Sequence, residues 1–208
     1  MSDIDALSEI VEDIGIRLED KDTVRELALK SSRTIERLSR QIIQDIHSGN
    51  GSREKFNEAL QEASKVKSIV EDYPELYHSG FLRNGFQELA EAHILWSISR
   101  DEYPLNPHEL DITPSSYLIG LGDAVGELRR MILDSLIAGD VDRAMEFMVK
   151  MERIKDMLME FDFPNAIVPI KTKQDIARDL VEKTRGDIAT YLNNEKLRKK
   201  MDELMEQL

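Results

Sequence analysis

The chain contains no cysteine, so disulfides, thiolate nucleophiles and cysteine-ligated zinc are excluded together. Positive charge is in short supply. Against 41 aspartates and glutamates stand 28 lysines and arginines, a formal net charge of −13. So acidic a surface repels phosphate backbones, and a nucleic-acid site then needs a local basic patch or a shielded cavity. No uncharged apolar run approaches the roughly 20 residues that span a bilayer. The opening Met1-Ser2-Asp3-Ile4-Asp5 is acidic and leads into no apolar stretch, unlike a signal peptide. A cytoplasmic location is expected by elimination. Strand-like alternation is lacking as well, and the few glycines and prolines fall mostly between stretches of helical period.

What is present is helical. The 208 residues, 41% hydrophobic, are enough for a core, and one domain over 1–208 is expected. Ile4, Leu7, Ile10, Val11 and Ile14 recur at spacings of three and four, and the pattern resumes after Glu19-Asp20-Lys21-Asp22 and continues to Ile46. Gly49-Asn50-Gly51 stops it, and Ser52 is placed to cap a second helix. Pro74 interrupts again, a third helix is expected from about His78 to Ser99, and 101–113 reads as a loop. Thr113-Pro114 has the form of a helix start, a hydroxyl cap before a first-turn proline. A fourth helix then runs to Ile137, a fifth covers Val141 to about Glu160, and a sixth runs from Lys171, with 193–208 expected to project. The class is all-α, a bundle of about six to seven helices.

Four carboxylates stand out against this background. Glu88 and Glu91 are spaced i,i+3 on the third helix, Asp123 and Glu127 i,i+4 on the fourth, so each pair shares a helix face. Their settings are apolar. From Tyr117 to Leu128 the only charged residues are Asp123 and Glu127, and Phe86, Leu89, Ala90, Ala92, Ile94, Leu95 and Trp96 surround Glu88 and Glu91. Buried carboxylates need a cation, a shared proton or a basic partner. If the two helices pack side by side, hard oxygen ligands in that number suit Mg²⁺ or Mn²⁺. The alternative is structural ion pairing with bases such as Arg83, Arg129 or Arg130. Arg33, Arg37 and Arg40, with Lys30 a turn earlier, line one side of the first helix, as a solvated face or as a stripe that tracks phosphates. His78 and His93 are isolated.

At these residues the sequence resembles the translin family, and within it the translin-associated factor X branch. The resemblance rests on Gly85-Phe86-Gln87-Glu88-Leu89-Ala90-Glu91-Ala92 and on Tyr117 to Arg130, including the glycine before Glu127. It extends weakly to Ser32-Arg33-Thr34-Ile35 and to Ala138-Gly139-Asp140-Val141-Asp142. It implies a bundle of about seven helices. It also implies a metal-dependent endonuclease acting on single-stranded RNA, with Glu88, Glu91 and Asp123 as catalytic metal ligands and Glu127 in the same site. Arg33, Arg37 and Arg40 would then bind RNA, inside a closed shell that a single chain type would build as a homo-octamer. Met131, Ile132, Leu136, Met145, Phe147 and Met148 are expected either in such an interface or in the core. Two other readings remain: a translin-like scaffold that binds RNA without cutting it, and an all-α nucleoside triphosphate pyrophosphohydrolase, which also binds Mg²⁺ with paired helical acids.

Overall fold

Periodicity without strand signals is realised as six α-helices in a computed structural model, which describes residues 3–51 and 53–206. Met1, Ser2 and the expected cap Ser52 lie outside the described residues. The helices are α1 (Asp3–His47), α2 (Arg53–Ile69), α3 (Gly80–Arg100), α4 (Pro114–Ile137), α5 (Val141–Met159) and α6 (Lys171–Met205). One 3-10 turn, Pro74–His78, precedes α3. Among the described residues no helix is long and apolar enough to cross a membrane.

The breaks follow the expected chemistry. Gly49 at φ 73° and Gly139 at φ 79° take the left-handed conformation that ends a helix. Thr113 caps α4, its Oγ1 accepting from the Ser116 N–H at 3.1 Å, and Asp140 caps α5 by accepting from the Arg143 N–H at 3.0 Å. The charged stretch 19–22 does not break the first helix, because none of its residues forbids helical geometry. α1 runs unbroken for 45 residues, about 68 Å at the rise of an α-helix.

The chain divides into two compact units, Met1–Tyr117 and Leu118–Leu208, with the division inside α4. In the first, α3 packs against α1, and α1 against α2, around Ile35, Leu38, Ile42, Phe56, Leu82, Phe86 and Leu89. Gly85 sets how closely α3 approaches α1. A Cβ there would lie 2.7 Å from Ser32 Oγ and 3.2 Å from the Ser32 carbonyl oxygen. His93 secures the segment after α3: it is buried, stacks on Phe56 at 5.1 Å, and accepts the Leu105 N–H at Nε2 over 2.7 Å.

In the second unit α5 packs against α6, and α4 meets α6 at Gly122, where a Cβ would lie 2.7 Å from Lys173 Cβ. Arg129 of α4 clamps the same pair, reaching Asp187 at 2.7 Å and Thr184 at 2.9 Å. Met131, Ile132, Leu136, Phe147 and Met148 are buried within the chain, and only Met145 of the six candidate interface residues is exposed. Core packing therefore accounts for five of them.

Candidate functional site

The two acidic pairs lie one in each unit, and each is described with its own neighbours. On α3, every residue from Gly85 to Ser97 is buried except Gln87, Glu88 and Glu91, which are half-buried. The two glutamates thus flank a face that is otherwise inside the protein. Glu88 faces α1: its Oε2 lies 3.6 Å from Arg40 Nε, and Arg40 also reaches Glu36 at 3.5 Å. Two features that were separate in the sequence, the basic stripe and the acidic helix, meet in this contact. Lys30, Arg33, Arg37 and Arg40 are all exposed along α1.

On α4, Asp123 and Glu127 are half-buried between Gly122, Ala124, Val125 and Leu128. Lys173 of α6 lays its stem over Gly122 and bonds its ammonium to Asp123 Oδ1. Glu127 has Arg130 beside it at 4.0 Å, one turn along the same helix. Of the bases that the sequence offers as structural partners, Arg130 takes that place beside Glu127. Arg129 serves Asp187 instead, and the cations beside Glu88 and Asp123 are Arg40 and Lys173. Neither has a local signal, since 48 and 50 residues separate the partners.

The donor chemistry fits a hard divalent ion. All four candidate ligands are carboxylates, and the side chains of Glu88, Asp123 and Glu127 remain 32%, 32% and 29% exposed, open to solvent and ligand. The cations beside them neutralise charge that an ion would otherwise neutralise, so Arg40, Lys173 and Arg130 compete with a metal for these oxygens. Among the described residues no three aspartate, glutamate or histidine side chains stand together as a ready cage. His93 is not an open ligand. Burial holds its pKa down at about 4, its Nε2 is taken by Leu105, and its buried Nδ1 has no hydrogen-bond partner among the described residues.

The chain is 36% identical over 185 residues to the uncharacterized protein MJ0175 of Methanocaldococcus jannaschii, covering 87% of this chain and 82% of that protein. The crystal structure of AfC3PO matches at TM-score 0.81 and 34% identity, over 88% of this chain and 97% of that one. The complex of AfC3PO with duplex RNA matches at TM-score 0.71 and 34% identity, over the same shares. Apo-NeC3PO, 21% identical with TM-score 0.67 over 92% of this chain and 98% of that one, shares the fold. The model of the Translin family matches residues 23–208, nearly the whole sequence, and the chain belongs to the Translin family.

Proposed function

We propose that this protein is a Mg²⁺- or Mn²⁺-dependent endoribonuclease acting on single-stranded RNA, with Glu88, Glu91 and Asp123 as catalytic metal ligands and Glu127 joining them. The observation that carries the reading is the setting of the acids. Half-buried carboxylates interrupt otherwise buried helix faces, and an arginine from a basic stripe stands next to one of them. AfC3PO, which is similar along most of the chain, has been solved with duplex RNA, which supports RNA as the polymer bound.

A bound Mg²⁺ or Mn²⁺ would supply the Lewis acidity that activates water and shields charge on the phosphate. The chain's own residues do the rest. Arg33 and Arg37 pair with successive phosphates and hold the strand in place. Arg40, 64% exposed, is free to turn from Glu88 toward a phosphate oxygen, so one guanidinium serves the empty and the RNA-bound protein. Assembly into a shell, a homo-octamer in this reading, keeps acidic faces outside and basic faces toward the RNA, which reconciles the net charge of −13 with the ligand. Ion pairing of Glu88, Asp123 and Glu127 favours the rival reading, a scaffold that binds RNA and leaves it intact.

Incubation of a labelled single-stranded RNA with the protein and Mg²⁺ or Mn²⁺ separates the two. The proposal expects internal cleavage that chelator stops. Binding with no cleavage under either ion selects the scaffold, and hydrolysis of nucleoside triphosphates without RNA cleavage selects a pyrophosphohydrolase.

A further inference from the structure

The family match begins at residue 23, and 97% of AfC3PO is matched by only 88% of this chain. Residues 3–22 therefore lie outside the family body, yet they form a regular, continuous part of α1. Their base is fastened. The Tyr73 hydroxyl donates to Asp20 at 2.8 Å, and Lys21 pairs with Glu75 at 2.7 Å. Above that base, Ile4, Leu7, Val11, Ile14 and Leu18 stand 49–71% exposed. This is the largest run of uncovered aliphatic side chains on α1, and it has a definite form. The spacings are three, four, three and four, the 3.5-residue period of a helix that pairs with another helix.

We propose that this segment pairs with the same segment of a second copy, as a short parallel, in-register coiled coil. Ile4, Val11 and Leu18 take the a positions, Leu7 and Ile14 the d positions. The charge pattern selects the partner. The segment carries eight acids and two bases, so two copies would repel if the acids met. Six of the acids, Asp5, Glu9, Glu12, Asp13, Glu19 and Asp20, fall at b, c and f, away from the seam. At the flanks the parallel register sets Arg17, a g position, against Asp22 of the second copy at the following e position, and does so twice by symmetry. In the single chain Arg17 pairs with Asp13 at 3.2 Å and Asp22 with Arg25 at 2.9 Å, both exposed pairs within the helix that exchange at little cost. The same register places Ile10 (g) against Gly15 (e) of the second copy, where the missing side chain leaves room for it; nothing lies within 4 Å of a Cβ at Gly15 in the single chain. Ile16 stands off the seam at an f position. The seam spans about two heptads, so the pairing is weak and covalent capture suits it.

The absence of native cysteine makes capture clean. In the full chain, Leu7→Cys and Ile14→Cys are prepared separately, with Glu9→Cys and Glu12→Cys as controls on the outer face. Each is oxidised mildly and run on a non-reducing gel. Both seam variants are expected to yield severalfold more covalent dimer than either control. Adding Arg17→Glu to Ile14→Cys should lower the yield, and adding Asp22→Arg to that variant should restore it. Equal yields at seam and control positions, or dimer from only one of the two seam variants, would overturn the proposal. None of these residues is a candidate metal ligand or belongs to the basic stripe, so the outcome is independent of RNA cleavage.

Discussion

The two acidic helices are built alike and balanced differently. In each, a glycine lets a neighbouring helix approach, Gly85 against Ser32 of α1 and Gly122 against Lys173 of α6, and that helix brings a cation to a carboxylate. On α3 the cation is Arg40, mostly solvent-exposed and 3.6 Å from Glu88. On α4 it is Lys173, whose stem is packed on Gly122 and whose side chain is only 26% exposed. A loose, exposed pair contributes little to stability and yields readily to a competing ligand. Breaking a packed, partly buried pair leaves the remaining charge poorly solvated, so its loss costs more and the pair yields less. Asp123 is thus held by the more packed cation and Glu88 by the more exposed one.

Breaking the carboxylates themselves has the largest expected effect on activity. Glu88→Ala, Glu91→Ala and Asp123→Ala should each reduce metal-dependent RNA cleavage to background, with the helical circular dichroism signal unchanged. Stability without metal should hold in Glu88→Ala and fall in Asp123→Ala, where Lys173 loses its partner. Breaking the close approaches comes next. Gly85→Ala and Gly122→Ala force helices apart and should cost about 1–3 kcal/mol in urea unfolding. Gly126→Ala meets only Leu180 at 4.0 Å and should be neutral or stabilising by up to about 1 kcal/mol. The cations sharpen the comparison further. Lys173→Met should destabilise more than Arg40→Met, and both should tighten binding of a divalent ion by removing its competitor.

His93 allows a test of the first unit that is independent of the site. An unfolded histidine takes up a proton near pH 6.5, whereas burial keeps His93 neutral down to about pH 4. Between those values the unfolded state binds the extra proton, so stability falls as pH falls from 6.5 to 4, by about 3 kcal/mol in all. Above pH 6.5 this contribution is fully present. His93→Asn should flatten that part of the stability profile. The smallest effect is expected at the far end of the basic stripe. Arg33→Ala with Arg37→Ala should weaken RNA binding and lower its salt dependence, a loss of about two phosphate contacts in the slope.

Much of this was legible in the residues. Pro74, Pro114, Gly49 and Gly139 mark the element boundaries because their backbone preferences are local. The four acids stand out because charge on an apolar helix face is costly wherever it occurs. The counter-cations were not legible, since Arg40 and Lys173 reach their carboxylates across 48 and 50 residues and look like ordinary helix-surface bases. Periodicity also says that a helix has an apolar face without saying what covers it. The pattern at Ile4, Leu7 and Ile14 resembles the pattern at Ile35, Leu38 and Ile42, yet the first set is exposed and the second buried. The same limit applies to Met131, Phe147 and Met148, which serve the core.

The central claim is that these carboxylates hold a divalent ion, and Mn²⁺ binding tests it before any RNA is added. The full chain is titrated with Mn²⁺ and the free ion followed by its electron paramagnetic resonance signal, alongside Glu88→Gln and Asp123→Asn, which keep the shape of each side chain and remove its charge. The account predicts that wild type removes Mn²⁺ from solution and that both variants bind it at least about tenfold more weakly. Binding by both variants as tight as that of wild type would contradict it, and would leave these acids as members of ion pairs with Arg40 and Lys173.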